Sequence, residues 1–307
     1  MDPLSHALIG GLAAKTVGAS KRRFWIMCLL GMAPDLDVLA GLFGGWAFIF
    51  QHRGISHSFI GVVFQSVFWA WLLVKFDGGS FKERAFHYSI PLGAHIFCDY
   101  LTCFGVPLFS PFSIKEYSLD LMSSVNVVPL LLTLFGIIWL HKKNHEGWQQ
   151  TRLLWGMWVG YLLLSMTGKV YAGRILGDSK AVAMPMTVGS FKWRAVQSDS
   201  DRQYYRTQMV DLIKGASQEQ IPVAMPDKSF PVQSSLASIK VRQFLVDNRW
   251  PVVQTMKRGD SWIVDWGTLL FSTKGLVRGK VRVEVSSQGE ILSENKIFTF
   301  WNPGPVS

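Results

Sequence analysis

Apolar residues dominate the chain from Leu4 to about Ala172, whereas from about Lys180 onward charged residues recur every few positions. Crossing a bilayer as a helix takes about 20 mostly apolar residues. Runs of that kind lie near 4–18, 24–50, 58–76, 86–105, 123–140 and 153–172; the first is short and the second is long. Within the second, GMAPDLDV sets Pro34 in mid-run. There the missing N–H and the ring clash break a helix, so the run is read as two half-helices. From about Met184 the texture changes to short runs, KWRAVQ, QYYRTQMV, IKVRQFLV, DSWIVDWG, KVRVEV and KIFTFW, separated by Gly, Asp, Ser and Pro. Short alternating runs between such breakers read as strands. The pattern predicts an α-helical polytopic membrane domain over residues 1–178, followed by a mostly β extracytoplasmic domain over residues 179–307. No internal repeat or low-complexity tract interrupts it.

Basic residues orient the spans, because Lys and Arg collect in short cytoplasmic loops. Lys21, Arg22 and Arg23 follow the first span, Lys75, Lys82 and Arg84 flank the loop after the third, and His141, Lys142, Lys143 and Arg152 mark the loop after the fifth. The connections around 51–57 and 106–122 are poorer in them. Six spans with both termini on the non-cytoplasmic side are expected, in the bacterial inner membrane.

Composition agrees with a membrane chain: 49% of the residues are hydrophobic and 17% charged, with a mean hydropathy of +0.22. The net charge of +10, from 31 Lys plus Arg against 21 Asp plus Glu, is read as loop topology and attraction to membrane lipids. A nucleic-acid partner is not expected, because the basic residues are split between short loops and a distal domain where acids intervene. Cys28, Cys98 and Cys103 fall in apolar segments without CxxC spacing, so no disulfide framework is implied. MDPLSHALIGGLAA lacks the basic start of a cleaved signal peptide.

An ionisable side chain within a span costs about 2.5–3.5 kcal/mol even on the mildest insertion scale, so each one needs a partner or a purpose. Seven stand out: His6, Asp35, Asp37, His52, His57, His95 and Asp99. All are metal-ligating types. Asp35 lies twelve residues after Arg23, and His95 and Asp99 lie eleven and fifteen after Arg84. At about 1.5 Å per residue these depths nearly coincide, toward the non-cytoplasmic face where His6, His52 and His57 also fall. His95 and Asp99, at i and i+4, share a helix face. Asp35 and Asp37 would diverge on a helix and align on an extended strand, which the break at Pro34 permits. Gly54 frees the backbone between His52 and His57 for a tight turn. Imidazoles with carboxylates suit a divalent ion, zinc foremost, with manganese or iron also compatible, and the donors suffice for one or two ions.

Plainer roles compete with this one. His87, His141 and His145 are read as packed or hydrogen-bonded, and Ser5, Ser56 and Ser58 as helix caps. An Asp/His proton relay in a transporter would use similar depths, but it accounts less well for four histidines near one face. Arg53 is either a snorkelling boundary residue or a guanidinium that binds a substrate oxyanion.

His6, the PDLD of Pro34 to Asp37, the HRGISHS of His52 to Ser58, and the His95/Asp99 pair resemble the bacterial membrane-bound metal-dependent hydrolase family, YdjM/YfhP-like. The resemblance is strongest over residues 1–105. Longer members share a junction and a Trp-containing strand like MPMTVGSFKWRAV here. The resemblance implies an inner-membrane, metal-dependent hydrolase, and more distantly a likeness to the histidine-rich sites of zinc-dependent phospholipases C. The expected mechanism is metal-activated water attacking an ester, a phosphoester of a lipid or lipid-linked substrate. His6, Asp35, His52, His57, His95 and Asp99 would hold the metal, Asp37 would ligate or orient a ligand, and Arg53 would meet developing negative charge. The alternative function is a metal- or proton-coupled transporter that uses the same cluster.

Overall fold

The structure, a computed structural model, describes residues 1–37, 54–123, 125–143, 146–176, 181–186, 191–199, 201, 203–219, 222–269 and 277–301. The chain forms two compact units, Met1–Gly168 with Pro185–Ser190, and Lys169–Met184 with Phe191–Ser307.

In the first unit, helix α1 (Pro3–Thr16) starts where the Asp2 carboxylate accepts the Ser5 N–H and Pro3 occupies the first turn. Helix α2 (Lys21–Met32) is capped by Ser20, and residues 33–37 continue as a 3-10 turn. The predicted break is therefore placed at Met32, just ahead of Pro34. Residues 38–53, which include the rest of that apolar run, lie outside the described residues. A short 3-10 turn (Ile55–His57) leads into α3 (Phe59–Asp77), followed by α4 (Phe81–Tyr100), α5 (Val127–Lys142) and α6 (Trp148–Leu176).

Glycines decide how closely α1 and α2 pack. A Cβ at Gly10 would lie 2.3 Å from the Met27 carbonyl oxygen, and one at Gly31 would lie 2.4 Å from that of His6. Both positions must stay bare for the two backbones to touch. Around them, Ala13, Ala14, Met27, Leu30, Tyr88 and Leu92 form one core, and Leu12, Leu101, Met122, Leu140 and Trp158 belong to a second.

Among the described residues α3 is the one helix both long and apolar enough to cross a membrane; α5 is apolar but has 16 residues. The 19 residues of α3 extend about 28 Å, close to a hydrocarbon core. Its inner side carries Gly61, Ser66 and Ala70, and Phe59, Val63, Phe64, Phe68, Trp71 and Phe76 stand exposed along its outer side. The other spans expected from the sequence do not meet this requirement: α1 and α2 are short, and α4 opens with Lys82, Glu83 and Arg84.

The second unit is mostly β. One sheet runs β1 (Val182–Pro185), β2 (Lys192–Asp199), β3 (Tyr204–Asp211), β4 (Ala216–Glu219), with β5 (Val223–Ala224) also paired to β3. The other is an antiparallel meander of β6 (Pro251–Arg258), β7 (Ser261–Thr268), β8 (Val277–Ser286) and β9 (Ile291–Trp301). Between them lie α7 (Phe230–Ser235) and α8 (Ile239–Asp247). The segment IKVRQFLV, expected as a strand, is thus a helix. Ser238 caps it by accepting the Val241 N–H, and Val241, Phe244 and Leu245, at helical spacing, join Val264, Trp266 and Val283 in one core.

Candidate metal centre

Four side chains converge at the C-terminal ends of α2 and α4 and the start of α3. Asp35, His57, His95 and Asp99 each offer one ligand atom, and the four atoms lie within 4.8 Å of one another. The Nε2 atoms of His57 and His95 are 3.1 Å apart. Asp35 Oδ1 is 3.4 Å from the first and 3.6 Å from the second, and Asp99 Oδ2 is 3.7 and 3.9 Å from them. A tetrahedron with bonds of about 2.0–2.2 Å to nitrogen and oxygen has edges of about 3.3–3.6 Å. The separations, from 3.1 to 3.9 Å, bracket that size. His57, His95 and Asp99 are buried, and Asp35 is partly exposed.

Neighbouring groups aim the donors. His95 Nδ1 is 2.7 Å from the Gly31 carbonyl oxygen, an acceptor, so Nδ1 carries the proton and Nε2 presents its electron pair. His57 Nδ1 is 3.3 Å from Asp37 Oδ2 and 2.9 Å from Ser56 Oγ, and Ser56 Oγ donates to Asp37 Oδ2. A carboxylate behind the ring turns the Nε2 of His57 inward in the same way. Asp35 and Asp37 do not align on an extended strand. They lie in the 3-10 turn of residues 33–37, where three residues per turn point them in different directions. Both reach the same imidazole, one at each nitrogen.

His6 is buried and stacks on His95, with ring centroids 3.6 Å apart. Its Nε2 is 3.3 Å from Asp99 Oδ1, and neither of its ring nitrogens makes a hydrogen bond among the described residues. The α-amine of Met1 lies against the same Asp99 oxygen. Of the residues singled out in the sequence, His6, Asp35, Asp37, His57, His95 and Asp99 are brought together; His52 and Arg53 lie outside the described residues. His87 stands apart, beside Glu83 and Arg84. His141 ends α5, and His145 lies outside the described residues.

Three contributors went unnoticed in the sequence. Ser56, read as a cap, is held between Asp37 and His57, whereas Ser58 does cap α3. Gly31 supplies the carbonyl that orients His95. Gly61 would place a Cβ 2.0 Å from the Ile55 carbonyl oxygen, so its lack of a side chain lets the His57 turn pack on α3. Each is a small residue in an apolar or Ser-rich context, where the spacing alone carries no signal.

All of these residues fall within a stretch, residues 1–174, that matches the family model of the YdjM inner membrane protein. The chain belongs to that family. YdjM proteins form an inner-membrane family, so the apolar outer side of α3 has a lipid environment to face. Among curated relatives, the uncharacterized protein YfhP of Bacillus subtilis (strain 168) is 30% identical over 135 residues, covering 40% of this chain and 41% of YfhP. The chain thus matches less than half the length of that relative. No solved structure matches.

Proposed function

We propose that this YdjM-family member is a multi-pass inner-membrane hydrolase, with its β unit on the non-cytoplasmic side. In this reading it holds a divalent ion, zinc foremost, and cleaves an ester bond, a phosphoester of a lipid or lipid-linked substrate. The observation that carries it is the meeting of two imidazole Nε2 atoms at 3.1 Å beside the carboxylates of Asp35 and Asp99. Two such nitrogens cannot satisfy one another if both Nδ1 atoms hold the protons, and a cation satisfies both.

A bound ion supplies a water acidified toward neutral pH and a Lewis acid for the scissile bond. The chain's own residues do the rest. Gly31 and Asp37 hold His95 and His57 in the tautomers that leave Nε2 facing inward. Asp35, the more exposed carboxylate, borders the side from which water and substrate enter. His6 extends the donor set on the other oxygen of Asp99, and with His52 it provides for a second ion. Arg53 meets negative charge developing on the substrate. Membrane lipids are the expected partners, and nucleic acid is not.

Mass-spectrometric metal analysis of the detergent-purified protein, beside a His57→Ala, Asp99→Ala double variant, tests this. About one or two equivalents of a transition metal in the wild type, and little in the variant, is the expected result. Near-zero metal in both, persisting after reconstitution with Zn²⁺ and Mn²⁺, would overturn it in favour of the relay transporter.

A further inference from the structure

The segment that follows α4 folds back on itself beside the His57 turn. Val106 and Tyr117 exchange backbone hydrogen bonds of 2.9 and 3.0 Å, and Leu119 N–H donates to the Tyr100 carbonyl at 2.8 Å, closing a loop over residues 106–117. At its tip stand Phe112 and Ile114, 84% and 82% exposed, the most exposed large apolar side chains among the described residues. Phe109 is half exposed. A rigidly closed loop that leaves two such side chains in water forfeits the burial free energy that normally holds a loop down.

The surroundings say what covers them. The Phe59 N–H, at the first residue of α3, donates to the Leu108 carbonyl at 3.0 Å. The Phe59 and Phe109 rings meet edge-on with centroids 5.7 Å apart, and Phe109 meets Tyr117 likewise at 5.5 Å. The apolar surface of the loop is therefore continuous with the outward stripe of α3, the one helix among the described residues long and apolar enough to span a membrane. Beside it the Lys115 ammonium lies 5.3 Å from the Tyr117 ring centroid. A tyrosine and a lysine side by side are the residue types that settle at headgroup depth, the ring at the boundary and the amine reaching for water.

We infer that loop 106–117 is seated in the bilayer, with Phe109, Phe112 and Ile114 among the acyl chains and Lys115 and Tyr117 at the headgroups. His57 precedes the first residue of α3 by two positions, so this seating fixes the His/Asp cluster at headgroup level. The substrate class it selects is an amphiphile whose ester or phosphoester lies at the head of an acyl tail. That last step rests on the hydrolase reading; the seating of the loop does not.

Spin labels decide the matter. Phe112→Cys and Ile114→Cys proteins are labelled separately, with the unsubstituted chain as the labelling blank. The full chain is reconstituted in vesicles of phosphatidylethanolamine and phosphatidylglycerol, and collisions with oxygen are compared with collisions with a water-soluble nickel chelate. Phe64→Cys on the α3 stripe marks lipid, and Asp260→Cys in the exposed β6–β7 turn marks water. The oxygen-to-nickel ratio at 112 and 114 is expected near that at 64 and severalfold above that at 260. A ratio equal to that at 260 overturns the seating, and so does shielding from both reagents, which would indicate a second copy or another protein on the loop. Metal analysis of the same samples separates the two ideas. Lipid-facing labels without metal leave the loop standing and sink the hydrolase, and water-facing labels with metal do the reverse.

Discussion

The helical unit has buried charge at both ends of α3, and the two ends are built differently. At the C-terminal end, the Asp77 side chain is fully enclosed; its Oδ2 accepts from Arg23 Nε at 2.9 Å and the Tyr88 hydroxyl at 3.1 Å, and forms an ion pair with Arg84 Nε at 2.8 Å, whose N–H donates to the Gly78 carbonyl. About 30 Å away along the helix, Asp99 is equally buried; its Oδ1 accepts from the Met1 α-amine, but its side-chain neighbours are imidazoles, and Oδ2 faces those of His57 and His95. A guanidinium carries only donors and a permanent charge, so the contacts on Asp77 Oδ2 offer a cation no electron pair and tie α2, α3 and α4 together. An imidazole whose Nδ1–H is already engaged presents an electron pair instead. Buried carboxylates beside such rings make a set that could hold a cation. The partner, more than the depth or the carboxylate, separates a fastening from a site.

The largest expected effect tests the fastening. Asp77→Asn removes the carboxylate that Arg23 and Arg84 share and leaves the buried Arg84 only the Gly78 carbonyl and the exposed Glu83, so stability should fall by up to about 3–5 kcal/mol. Thermal unfolding in detergent reads this, and metal per folded protein should not change. If metal were lost while stability held, the two ends would not differ in kind. Gly31→Ala bears on the other end and should do both kinds of harm. The new Cβ meets the His6 carbonyl at 2.4 Å, for about 1–3 kcal/mol of overpacking. Shifting the carbonyl that orients His95 should also weaken metal binding by about tenfold to a hundredfold. Gly93→Ala, with nothing within 4 Å of the added methyl, is the matched control and should bind metal as the wild type does.

The smallest effect concerns a third charged cluster, in the β unit, where Asp265 accepts from Arg282 Nε at 2.7 Å and from Lys280 Nζ at 2.6 Å. Burial alone would raise its carboxyl, but the hydrogen bonds from Arg282 and Lys280 outweigh burial and hold it below the usual range. Its stabilisation is thus fully present above the unfolded value of about 3.9 and is lost as pH falls through the lower folded value. Asp265→Asn should flatten the acid side of the unfolding profile below about pH 4 and leave neutral metal binding alone. An unchanged acid limb would mean that this cluster contributes nothing measurable.

Sequence patterns exposed the site's chemistry better than its supports. His95 and Asp99 could be paired because i and i+4 on a helix leave one outcome. Asp35 and Asp37 were expected to align on an extended strand past the break at Pro34, but that segment is a 3-10 turn in which the two carboxylates reach opposite nitrogens of His57. Arg84 was counted with Lys82 as a loop marker; it is buried against Asp77, a partner on another helix. IKVRQFLV fits a strand by composition and became a helix because Ser238 caps it and the second sheet needed a cover. In each case the deciding contact comes from another element of the chain, which a local period cannot register.

By itself, the sequence determined that a helical, apolar part precedes a mostly β one, that an apolar helix lies near 58–76, and that imidazoles and carboxylates able to bind metal are concentrated before residue 100. These follow from transfer free energies and periodicity, which act residue by residue. Only the tertiary structure decided that Asp35, His57, His95 and Asp99 share one point, that Asp37 stands behind His57, and that Gly31 aims His95. Those facts depend on α1 and α2 touching at bare glycines and on α4 packing across both, and such close approach is a property of pairs of surfaces.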